Sequence, residues 1–171
     1  MARYPDIHAG QRITLDTLQG LQFEMALKEV ATVRPSDPNI DPDPDLRFTL
    51  EPNASYHVEF FVQYLTNDVS RFKTTWSVPA GASGLKRVQG LGDAVDGGGD
   101  GAGLMRSSVH GFGTIVRYGW RDGDSQAWVQ ESGSIVTSEG GTLSFNWAQN
   151  ATSTYSTEVS AYSYARLQRV G

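Results

Sequence analysis

The sequence predicts an all-β protein of about eight to ten strands, arranged as a sandwich, jelly roll or barrel and preceded by a short helical arm. Three observations predict it. Apolar residues recur with a period of two through most of the chain, turn residues punctuate it (19 Gly and 7 Pro in 171 residues), and helical spacing is confined to the stretch before residue 22.

The arm comes first. Ile13 precedes Thr14, a good N-cap; Asp16 falls in the first turn; Ile13 and Leu18 are spaced as a hydrophobic staple; and Leu15, Leu18 and Leu21 recur at helical spacing until Gly20 weakens the end. About two turns are too few to stand alone in water, so the arm is expected to dock on something.

From Phe23 the period changes to two, with Phe23, Met25 and Leu27 alternating with Glu24, Ala26 and Lys28. Pro35, Pro38, Pro42 and Pro44 then predict a loop from Arg34 to Asp45, since each withholds a ladder donor. Leu46, Phe48 and Leu50 form the second strand. The run Tyr56 to Leu65 is the most telling: Tyr56, Val58, Phe60, Val62 and Tyr64 share one face, and Phe61 and Leu65 lie opposite with His57, Glu59 and Gln63. One face fills a core, and the other calls for a second cover.

Asn67-Asp68 turns the chain into Arg71 to Val78, and Pro79 to Gly84 turns it again into a short strand from Leu85 to Gln89. Gly90 to Gly103 is expected to be a loop. Leu104 to Trp120 is strand-rich, with Gly111, Gly113 and Gly119 as bulges or close-approach points. Arg121-Asp-Gly-Asp124 reads as a hairpin turn that pairs this segment with Gln126 to Thr137, which Gly133 is expected to bend. Thr142 to Trp147 follows, and Thr157 to Val170 closes the chain with Ala165 and Leu167 on one face and Tyr162, Tyr164 and Arg166 on the other.

Composition bounds the function. A net charge of −5 with scattered Lys and Arg gives phosphate backbones nothing to run on, so no nucleic-acid partner is expected. With no Cys, disulfides, thiolate catalysis and Cys-ligated zinc are impossible. No apolar run approaches a membrane span, and the opening Met-Ala-Arg-Tyr-Pro-Asp lacks a signal core, so assembly in a cytoplasm without membrane insertion is expected.

The candidate chemistry is thin. Asp93, Asp96 and Asp100 are hard donors in the Gly-rich loop, but without calcium-loop spacing they read as a loop tip and a possible ligand loop; Asp41, Asp43 and Asp45 lack the sharp-turn Gly and closing Glu. His8, His57 and His110 fit no catalytic motif. No catalytic residue, metal or cofactor is assigned, and the chain is expected not to be an enzyme. Trp76, Trp120, Trp128 and Trp147 could stack on sugars, and Trp120, next to the Arg121 turn, is the one expected to be partly exposed.

Four stretches carry a resemblance: Ala9-Gly-Gln-Arg-Ile-Thr14 with Leu18, Lys73-Thr-Thr-Trp-Ser-Val-Pro-Ala-Gly81, Met105-Arg-Ser-Ser-Val-His-Gly111 and Phe145-Asn-Trp-Ala-Gln-Asn150. They resemble small virion proteins of phages infecting actinobacteria. The strand order also resembles the tumour-necrosis-factor-like jelly roll of phage fibres and decorations. The resemblance implies a jelly-roll sandwich over residues 23–171, an attachment arm over residues 1–22, and a homotrimer in the virion. Its trimer interface would be Tyr56, Val58, Phe60, Phe61, Val62, Tyr64, Leu65, Tyr162 and Tyr164. Ile13, Leu15, Leu18 and Leu21 would attach it to a phage capsid or tail protein. The alternative is a carbohydrate-binding head of a tail fibre that meets a host surface glycan through Trp120 and the Asp93, Asp96 and Asp100 loop.

Overall fold

The computed structural model describes residues 8–15, 17, 22–92, 105–121 and 125–171. These residues form twelve strands: β1 (Glu24–Leu27), β2 (Thr32–Arg34), β3 (Asp41–Leu50), β4 (Ser55–Leu65), β5 (Phe72–Ser77), β6 (Ser83–Leu91), β7 (Met105–His110), β8 (Val116–Tyr118), β9 (Ala127–Val136), β10 (Gly141–Gln149), β11 (Thr157–Val159) and β12 (Tyr164–Arg169). Every pairing is antiparallel. The larger sheet runs β1-β12-β4-β9-β6-β7, with β2 and β11 attached beside β4, and the smaller runs β3-β10-β5-β8. Set aside β2, β11 and the β6–β7 hairpin, and the eight remaining strands pair, in chain order, as 1-8-3-6 and 2-7-4-5.

The sheets meet on aromatic side chains, as the alternation of β4 dictates. Tyr56, Val58, Phe60, Val62 and Tyr64 all point inward and are buried. The Phe60 ring meets Trp76 edge-on at 5.0 Å and Phe145 at 5.3 Å, while Tyr64 stacks on Phe72 at 4.3 Å. Leu46, Phe48 and Leu50 of β3 and Leu143 and Trp147 of β10 complete the opposite wall.

Several expectations are corrected. Twelve strands replace eight to ten. The expected loop to Asp45 ends early, because β3 starts at Asp41 and includes Pro42 and Pro44; it is an edge strand, where a missing N–H costs no ladder bond. The β8 and β9 strands do not pair with each other: β8 pairs with β5, and β9 with β4 and β6. The segment between them therefore connects the two sheets, and its residues 122–124 lie outside the described ones. The final run splits into β11 and β12 around a turn in which Tyr162 takes φ 67°.

Glycine explains two positions. The ladder passes through Gly133 without a register break; a Cβ there would meet the Leu85 carbonyl at 2.8 Å and the Trp76 ring at 3.1 Å, so the missing side chain seats Trp76. Gly119 is a close-approach point as expected, with the Gly92 carbonyl 2.1 Å from where its Cβ would stand. Gly111 and Gly113 fall in the turn between β7 and β8.

The arm is described in part. Leu15 and Thr17 are helical, and the Thr17 N–H donates to Thr14 Oγ1 at 3.3 Å, the contact an N-cap makes. Ile13 and Leu15 are exposed. Leu18 and Leu21, with the rest of the expected helix, lie outside the described residues.

Two charged clusters interrupt the apolar interior. Lys28, just past β1, is fully buried and donates to Asp43 Oδ1 at 3.1 Å and Asp45 Oδ2 at 2.7 Å. Asp43, also fully buried, accepts from Trp147 Nε1 at 2.9 Å and from the amides of Asp45 and Leu46. The second joins Lys86 of β6 and Glu131 of β9 to Thr74 of β5 and Tyr118 of β8, so it bridges the two sheets.

Candidate functional site

The outward side of the larger sheet follows from its register. Crossing the strands, one row reads Leu27, Tyr164, Phe61, Gln130, Gln89 and Ser107, and the next Met25, Arg166, Glu59, Ser132, Arg87 and Val109. Trp128, Met105, Leu85 and Val136 occupy flanking rows of the same side. Met25, Leu27, Leu85, Met105, Val109 and Val136 are each more than half exposed, and Trp128 is 39% exposed. Apolar side chains thus stand in water across all six strands of the main path.

At its centre lies a ladder of aromatic rings. Tyr164 stacks on Phe61 at 5.4 Å and Phe61 on Trp128 at 6.1 Å, with interplanar angles of 22° and 18°. Rings that stand on adjacent strands and face each other present their edges outward, a firm ridge with little rotamer freedom left to lose. Beside it Arg166 pairs with Glu59 at 2.7 Å while its guanidinium lies 5.4 Å from the Phe23 ring.

Burial reassigns the expected interface. Tyr56, Val58, Phe60, Val62 and Tyr64 are at most 4% exposed inside their own chain, so they have no surface to give a second copy. Phe61, Leu65 and Tyr164 do lie on the outward side, half-buried, and Tyr162 is 74% exposed at its turn. The pattern of β1 is reversed relative to the usual rule: its apolar Met25 and Leu27 face out, while Ala26 faces in. The sequence showed Phe61 and Leu65 as needing cover but gave no sign that Met25, Val109 or Trp128 would join them, because that depends on which strands are neighbours.

Trp120 is partly exposed, as expected, although its Nε1 is enclosed, and Trp128 is more exposed than Trp120. Asp93, Asp96 and Asp100 lie outside the described residues. Asp41, Asp43 and Asp45 form no cation site, since Lys28 occupies the last two. Among the described residues no group of three or more His, Asp or Glu is placed to hold a metal, and no helix is long and apolar enough to cross a membrane. His110 Nε2 lies 2.7 Å from Ser108 Oγ, a neighbour two residues back on β7.

On the outer side of the smaller sheet, Lys73 and Arg117 are directly paired. Partial burial lowers the Lys73 ammonium below its ordinary value, and Arg117 lowers it further.

No protein-family model matches the chain, and no curated protein matches it. Among solved structures it is similar to the tripod (BppUct-A-L) from the baseplate of bacteriophage Tuc2009, at a TM-score of 0.35 and 8% identity over 96% of this chain and 73% of that one. It is also similar to the Gx and Gt strain structures of infectious bursal disease virus, each at a TM-score of 0.22, at 9% and 8% identity, covering 88% of this chain and 36% and 38% of those chains. Overlap at such scores decides neither fold nor role.

Proposed function

We propose that the chain is a bacteriophage virion structural protein, a homotrimeric jelly-roll module mounted on the capsid or tail by residues 1–22. It acts by surface burial and avidity, without turnover, and is assembled in the host cytoplasm. The jelly-roll reading is supported by the 1-8-3-6 and 2-7-4-5 strand orders, which two interleaved Greek keys produce. The virion reading is supported by the sequence resemblance set out above.

The observation that carries the assembly is the outward side of the larger sheet, where Met25, Leu27, Leu85, Met105, Val109, Val136 and Trp128 stand exposed among polar neighbours. Outward rows stand about 6.8 Å apart, because alternate residues face in, so six strands about 4.8 Å apart and three rows deep make a face of roughly 600 Å² in projection. That approaches the ~800 Å² of accessible surface each partner gives to a standard interface. Identical copies can close such a surface by cyclic symmetry and leave no sticky remainder.

Solution mass tests it. The wild-type chain is expected to run as a trimer at micromolar concentration, and Met25→Lys combined with Trp128→Arg is expected to run as a folded monomer with an unchanged far-ultraviolet spectrum. A wild-type monomer overturns the assembly. Deleting residues 1–22 is expected to abolish particle association while leaving the trimer intact, and undiminished incorporation overturns the attachment role.

A second reading, a carbohydrate-binding head, is favoured by one observation: Trp128 stands exposed between Gln63 and Gln130, an aromatic ring beside amides. Binding of the isolated chain to a glycan array, lost on Trp128→Ala, would favour it.

A further inference from the structure

We propose that Lys86 and Glu131 join to form an intramolecular amide, a cross-link between β6 and β9 made by the fold itself. This goes beyond the assembly reading and stands whether or not copies associate.

The case begins with how each buried lysine is paired. Both side chains are completely buried. An ammonium carries three N–H donors, yet among the described residues Lys86 Nζ finds one acceptor, Glu131 Oε2 at 3.1 Å, with the Trp76 ring centroid 5.7 Å away. Lys28, the other fully buried lysine, has two carboxylates for the same charge. The buried Lys86 charge therefore meets one carboxylate where that of Lys28 meets two, the weaker compensation for a charge removed from solvent.

As an amide the same atoms are well matched. Glu131 Oε1 accepts from two hydroxyls, Tyr118 at 2.7 Å and Thr74, both reaching over from the smaller sheet. Two donors are what one amide carbonyl oxygen can take, and the single remaining N–H would lie toward the Trp76 ring. The same pair of donors is also an oxyanion hole, aimed at the oxygen where negative charge would gather during attack. Burial pushes the Tyr118 phenol above its ordinary value, and Glu131 pushes it further, so it stays protonated and able to donate.

The step balances without a co-reactant. Proton transfer within the pair makes the Lys86 amine neutral, and its lone pair attacks the Glu131 carboxyl carbon. Charge collects on Oε1 under Tyr118 and Thr74. Oε2 leaves with two protons from Nζ, as one water. An ammonium and a carboxylate become a neutral amide, and the enclosed site keeps water away from the reverse reaction.

The experiment is intact mass of the full chain under denaturing conditions, followed by tryptic digestion. The expected mass lies one water, about 18 Da, below that of the sequence. The loss should fall in a branched peptide joining residues 74–87 to 122–166, because a blocked Lys86 moves cleavage to Arg87. Full mass in the wild type overturns the proposal, and so does a water lost elsewhere, as from one of the Asp-Gly pairs. Lys86→Met is expected to restore the full mass, a reading that does not require this variant to be folded. Tyr118→Phe removes one of two donors and is expected to slow mass loss after refolding roughly 100-fold; an unchanged rate overturns the part assigned to Tyr118.

Discussion

Asp43→Ala is expected to cost about 3–5 kcal/mol of unfolding free energy, the range for breaking a buried charge pair from one side. The reason lies in what the substitution leaves behind. Lys28 remains fully buried with only Asp45, whose side chain is 43% exposed, as a counter-charge. Trp147 Nε1 and the amides of Asp45 and Leu46 lose their acceptor together. Asp45→Ala is the comparison: its side chain is 43% exposed but bonds the same buried Lys28 at 2.7 Å, and Asp43 still covers the charge when it is gone, so it should cost less, about 1–3 kcal/mol. Denaturant unfolding with a constant slope measures both. Equal losses in the two variants would show that the buried carboxylate has no special role.

Phe60→Ala is expected to cost a similar ~3–5 kcal/mol, here as lost burial plus a cavity between the sheets. The ring is completely buried and touches Trp76 of β5 and Phe145 of β10, so its removal opens the contact where the two layers meet. Its neighbour gives the contrast. Phe61→Ala strips a half-buried ring from the ladder with Tyr164 and Trp128, so it should weaken association more than it destabilises the single chain. Unfolding measured below the association limit, beside solution mass, separates the two. A Phe61 effect on monomer stability as large as that of Phe60 would contradict the assignment of opposite faces.

That pair shows what alternation can reveal. Phe60 and Phe61 are chemically identical, and the period of two separated them correctly, because successive side chains on a strand must point to opposite faces whatever the strand pairs with. The buried charges were legible only in part. Glu131 lies in phase with the inward Val129 and Ile135, and Lys86 with Val88, so a charge at a core position could have been flagged in each case. That the two meet could not be flagged, since they are 45 residues apart in the chain.

From its sequence alone this chain was bound to be all-β. The period of the apolar residues, the cap contact at Thr14 and the turns at Asn67 and Pro79 are local matters, settled by dihedral preference and by which side of a strand can be greasy. Partnership was decided only in three dimensions. Strand pairing joins distant residues, and the alternation that assigns a face carries no label for the neighbouring strand. So β8 and β9 could be read as a hairpin yet belong to different sheets, Met25 and Leu27 could look like core yet face water, and Lys28 could look like a solvated side chain yet be held between two aspartates.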